Sequence, residues 1–153
     1  MTFFAGQRII AATLNDLLTK GLILSIANNT TARQSTTTET VGSTVTWTAT
    51  TAATYRIFWT GTCQSSVLGD VARLRIRYLA GATLTSSGTS IRVSTAKAET
   101  ANASSPFVLV AEVTGISGQY TAGGTVARVA GTGIYQVNGS STDEEYVSVE
   151  RVS

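Results

Sequence analysis

The 153-residue chain contains no histidine. That absence removes the Ser-His-Asp and Cys-His nucleophilic systems, nearly every zinc site and the usual general base near neutral pH. A single cysteine, Cys63, excludes an intrachain disulfide, and with it a disulfide-stapled secreted scaffold. It follows the aromatic run RIFWTGT and reads as a small buried hydrophobe. Charged residues make up only 13% of the chain, about half the usual share for a soluble domain. Thr and Ser hydroxyls must therefore supply most of the polar surface, a composition suited to proteins that bury surface in an oligomer. With 11 basic against 9 acidic side chains and no Lys or Arg run, no nucleic-acid footprint is present. No apolar run approaches the roughly 18–20 residues that span a bilayer, so no membrane partner is expected. The N-terminus lacks the basic and apolar regions of a signal peptide, so folding in a cytoplasm is expected.

What is present falls into two unlike parts: an anchoring segment over 1–21 with a short helix, and a β-sandwich domain over 22–153. Between Ile9 and Lys20, Ile10, Leu14, Leu17 and Leu18 recur at the spacing of one helical face. Lys20 suits the last turn and Gly21 the stop. About three turns of helix are marginal without tertiary support, so this stripe must dock on something. Phe3, Phe4 and Ile9 extend the same set of docking residues. Two readings stand: a helix capping the domain's own core, and an anchor on another protein.

From residue 22 onward the pattern is all-β. Strands are expected over 22–27, 44–51, 54–61, 71–79, 89–94, 107–114, 118–122, 125–130, 133–137 and 145–152. Strict alternation marks several of them. Val45, Trp47 and Ala49 oppose threonines, and Leu74, Ile76 and Tyr78 oppose Arg73, Arg75 and Arg77. Many short strands with turns every 8–12 residues predict a jelly-roll-like antiparallel β-sandwich. Gly69-Asp70, Ala80-Gly81, Gly123-Gly124, Gly131 to Gly133 and Asn138-Gly139 read as turns. The Thr/Ser-rich stretch 28–43 reads as a long connection or a ragged edge strand.

No catalytic, cofactor or metal residue is assigned, and the chain is expected not to be an enzyme. A carboxylate pair is the catalytic arrangement still conceivable, from Asp70, Glu99, Glu112, Asp143, Glu144 and Glu145. Their only cluster, 143–145, reads as a solvated turn, and its spacing fits no EF-hand loop for a calcium ion. The stripe Arg73, Arg75, Arg77 places three guanidinium groups on one strand face. It reads as a solvent-facing row paired with acids on a neighbouring strand, or as an inter-subunit charge stripe.

The opening FAGQRIIAATLN, Phe4 to Asn15, resembles structural proteins of tailed phages. In those proteins AGQ or AGE, small residues and then LN begin a short anchoring segment. The strands TVTWTAT and TYRIFW, the run RLRIRYLAG and the closing YVSVERV are similar as well. The resemblance implies a virion component: a minor tail, fibre or capsid-decoration protein with a jelly-roll domain. Such proteins are often trimeric, and their partners are capsid or tail proteins. No fibrous shaft separates anchor from domain, which favours a compact decoration over a long fibre. The competing expectation is a carbohydrate- or receptor-binding knob of a tail fibre using exposed aromatics, although Trp47 and Trp59 sit in core-like strand patterns.

Overall fold

The structure, a computed structural model, describes residues 23–29, 32–138 and 144–153. The described residues form ten strands and no helix. These are β1 (Ile23–Asn29), β2 (Arg33–Ser35), β3 (Thr40–Ala49), β4 (Thr54–Ser65), β5 (Val71–Ala80), β6 (Thr89–Lys97), β7 (Ser105–Thr114), β8 (Gly118–Ala130), β9 (Tyr135–Asn138) and β10 (Glu145–Arg151). The expected N-terminal helix and its docking residues Phe3, Phe4, Ile9, Ile10, Leu14, Leu17 and Leu18 lie outside the described residues, as does Asp143.

Every pairing is antiparallel, in two sheets. The spine of sheet I is β4, TYRIFWTGTCQS, with alternate residues buried along its whole length. One of its edges carries β7. Its other edge carries β10 along Tyr55–Thr60 and then β9 along 62–65. β1 lies outside β10 and β2 outside β9. Sheet II runs β3-β8-β5-β6. Treating β1/β2 and β9/β10 as two interrupted strands leaves eight. The orders β1/β2–β9/β10–β4–β7 and β3–β8–β5–β6 make a double-sheet jelly roll. Between the sheets pack Tyr55, Ile57 and Trp59 of β4, Leu74 and Ile76 of β5, Val126 of β8, and Val147 and Val149 of β10. The alternation in the sequence fixes these faces, because successive residues of a strand point to opposite sides.

One expectation is corrected and another is narrowed. Gly123-Gly124 is no turn: both lie mid-strand in β8, which runs unbroken where two strands were expected. Glycine is needed there for room, since a Cβ on Gly124 would overlap the indole of Trp59 from the opposite sheet. Of the two readings of 28–43, the edge strand holds and the long connection does not. The stretch contains the end of β1, all of β2 and the start of β3, and β2 is held by long-range pairing of Arg33 with Val137 and Ser35 with Tyr135.

Candidate functional site

Among the described residues, three clusters hold a carboxylate largely shielded from solvent. The first lies in the core where β1/β2 and β9/β10 are interrupted. Glu145 opens β10 in the same inward phase as Val147 and Val149 and is fully buried. Its Oε1 accepts from Trp59 Nε1 at 2.6 Å and its Oε2 from Ser43 Oγ at 3.1 Å. Arg33 Nη2 completes the set with an ion pair to Oε2. Gly42 gives the pair its room, because a Cβ there would come within 2.7 Å of Glu145 Oε1. Glu145 is thus a core acid and not part of a solvated turn. The strand parity that places Val147 inside placed Glu145 there too.

The second cluster gathers the turns at one end of the sandwich. Asp70, in the β4–β5 turn, is buried. It accepts from Ser65 Oγ at 2.5 Å and from the backbone N–H groups of Thr132 and Gly133, each at 3.0 Å. Its own backbone, with that of Gly69, bonds to Ala98 beyond β6. One side chain therefore ties the β4–β5 turn to the β8–β9 turn, and its backbone adds the β6–β7 turn. The hydrogen bond from Ser65 holds its carboxyl below the ordinary 3.8; burial opposes this, and the two N–H donors with the Arg128 charge support it.

The third cluster lies on the outer face of sheet II. There Arg75 and Arg77 share one acid of their own chain, Glu39, which the sequence did not single out. Arg75 Nη1 reaches Glu39 Oε2 at 2.7 Å and Arg77 Nε reaches Oε1 at 2.7 Å. Thr125 Oγ1, beside Arg75 on β8, donates to Oε1 as well. Burial pushes the Glu39 carboxyl up. The hydrogen bonds from Arg77 and Thr125 and the charges of Arg77 and Arg75 outweigh it, leaving the group below its ordinary 4.5. Arg73, on the same face, is exposed and makes no described ion pair.

Both depressed carboxyls bear on acid stability. A carboxyl whose folded value lies below its unfolded one contributes stability above the unfolded value and loses it as pH falls through the folded value. Unfolding temperature is therefore expected to be flat from neutral pH to about 5 and to fall below roughly pH 4, as Glu39 and Asp70 take up protons. Asp70→Asn should lower the plateau and flatten the fall, as read by calorimetry across that range. A midpoint unchanged down to about pH 2 would refute this account.

The candidate hydrolytic acids do not converge. Glu145 is inside the core, Asp70 is locked among turns, and Glu112 is on the outer face of sheet I, paired with Arg56 at 2.8 Å. Glu99 is exposed beside Lys97, at 3.7 Å. Among the described residues no three His, Cys, Asp or Glu side chains gather in a way that could hold a metal ion. Cys63 is buried against Tyr135 Oη at 3.5 Å, and burial pushes both its thiol and the Tyr135 hydroxyl up. Trp47, Trp59, Tyr55 and Tyr135 are all core residues. Tyr78 and Tyr120 stack in the edge of that core beside Trp47, so Tyr146 is the tyrosine left exposed.

What the molecule presents outward is an apolar face. Antiparallel partners share a side of the sheet, so the register aligns residues in rows across sheet I. One row reads Ile26, Ser148, Phe58, Val110; the next brings Tyr146, Thr60 and Val108. Ile26, Val108, Val110 and Tyr146 are exposed and Phe58 is half-buried. The bordering row, Ile23, Glu150, Arg56, Glu112, carries the charge.

No family model matches the chain, and no curated protein matches it. Among solved structures the chain is similar to the VP2 subviral particle of infectious bursal disease virus. Identity is 10% and the TM-score 0.43, covering 84% of this chain and 37% of that one. A structure of the Gx strain of the same virus aligns at 12% identity and a TM-score of 0.41, over 84% of this chain and 38% of the other. The chain thus spans well under half the length of these viral chains. The C-terminal domain of EclA, a sugar-binding protein, aligns at 12% identity and a TM-score of 0.36, over 83% of this chain and 78% of its own.

Proposed function

We propose that this chain is a non-enzymatic structural protein of a tailed-phage virion, made in the host cytoplasm. In this reading its N-terminal segment docks on the capsid or tail, and its jelly roll is displayed as a capsid decoration or minor tail protein. The observation that carries it is the place where that segment joins the fold. β1, the first described strand, is an edge strand of sheet I, and its Ile23, Leu24 and Ile26 are exposed. β1 thus brings the chain into the fold at the rim of the sandwich, among exposed apolar residues. The acids of the described residues support the same reading: they hold the fold or lie scattered on its surface. The low charge and the phage-like FAGQRIIAATLN opening agree. A trimer would offer exposed Arg73 an acidic partner across a subunit interface.

The test is particle occupancy. Full-length chain carrying Phe3→Asp and Phe4→Asp is expected to fold normally and to lose about tenfold or more of its binding to purified particles, as apolar anchors dominate interface energy. Imaging should show its density gone from the particle. Undiminished occupancy would sink the docking role.

A further inference from the structure

The outer face of sheet I needs an occupant. Ile26 and Val108 are 61% and 68% exposed, and with Phe58, Val110 and Tyr146 they form a contiguous apolar surface. Contiguous apolar patches of this kind mark contact surfaces. The opposite outer face, on sheet II, differs in kind: it carries the Glu39 cluster and the exposed Arg73.

The geometry points to residues 9–20 of the same chain as the occupant, seated as an amphipathic helix across the outer face of sheet I. Three observations carry this. The described chain begins at Ile23, which the register places opposite Glu150 in the charged row bordering the face. The segment just before it has an apolar stripe, Ile10, Leu14, Leu17 and Leu18, with nothing of its own to bury against. Length also fits. Twelve helical residues span about 18 Å, and four strands about 4.8 Å apart are roughly 14 Å across. The three steps from Lys20 through Gly21 and Leu22 to Ile23 reach about 10 Å, the usual spacing of packed layers, about 10 Å.

Charge agrees. Lys20, in the last turn, arrives beside Glu150, which makes no ion pair among the described residues. So short a tether holds the helix at an effective concentration of about millimolar or higher, which favours its own domain over a second copy. Seating the helix leaves Phe3 and Phe4 projecting beyond it, so the helix orients the anchor and the two phenylalanines make the contact. That last step rests on the attachment reading; the seating itself does not.

Hydrogen exchange on the full-length chain, across a range of concentrations, tests it. Amides of residues 10–18 should be protected about tenfold or more over unstructured rates. Val110→Asp and Ile26→Asp, each at an exposed position, should separately abolish that protection while β4 amides stay protected. Leu14→Asp with Leu17→Asp should do the same from the other side. Unprotected residues 10–18 in the parent chain would overturn the proposal. So would protection that survives both face substitutions. Protection that grows with concentration alongside a sedimenting oligomer would put a second copy on the face, and would equally overturn it. Particle binding lost by Phe3→Asp with Phe4→Asp reports the anchor alone, so the two readings fail separately.

Discussion

Glu145→Ala is expected to destabilise the protein by about 3–5 kcal/mol, the usual effect of removing one partner from a buried ion pair. The carboxylate is the shared acceptor for three donors: Arg33 Nη2, Trp59 Nε1 and Ser43 Oγ. Arg33 cannot turn elsewhere, because its Nε is already buried without a partner. Alanine would thus leave a guanidinium charge and two neutral donors unsatisfied in the core. Urea unfolding should show a lower midpoint at unchanged slope, which assigns the effect to stability. Glu145→Gln keeps an acceptor for Trp59 and should be milder. Removing both charges with Arg33→Met and Glu145→Leu should recover part of the loss, since no unpaired charge remains, but not the Trp59 N–H contribution. A Glu145→Ala variant within about 1 kcal/mol of the parent would mean that water reaches the pair and that the cluster is not buried in solution.

Much of this cluster was legible, and the part that was missed has a definite cause. Alternation in TVTWTA and RLRIRY follows from local backbone geometry, and the structure keeps each inward set as read. Glu145 shares the parity of Val147 and Val149, so the signal for burial was present. Reading its neighbours Asp143 and Glu144 as one charged cluster hid it. Glu39 was invisible for another reason: its partners Arg75, Arg77 and Thr125 lie 36 to 86 positions away in sequence. β2 fails locally too, as three residues carry no periodicity and owe their strand to β9. Glycine was the most misleading residue. At Gly69, Gly81 and Gly131 it marks a turn with positive φ. At Gly123 and Gly124 it marks a close approach by something far along the chain.

Gly124→Ala is accordingly expected to cost about 3 kcal/mol or more, at the upper end for overpacking a tight core. The added methyl would overlap Cε2, Cδ2 and Cζ2 of Trp59. The indole has nowhere to retreat: it is fully buried, its Nε1 is fixed to Glu145 at 2.6 Å, and Phe107 packs edge-on against it at 4.7 Å. Relief must come from separating the two sheets, which loosens the whole core. Gly61→Ala on β4 is the matched control. Its methyl would meet its nearest atoms at 3.4 Å, an ordinary contact, so its effect should stay within about 1 kcal/mol. Trp59→Leu removes the obstruction at its own cost in cavity and lost hydrogen bond. In that background Gly124→Ala should become nearly neutral, a coupling of about 3 kcal/mol between residues on facing sheets. Equal costs at Gly61 and Gly124 would show instead that the β8 glycine is kept for its backbone, and the packing account of the misread turn would fall.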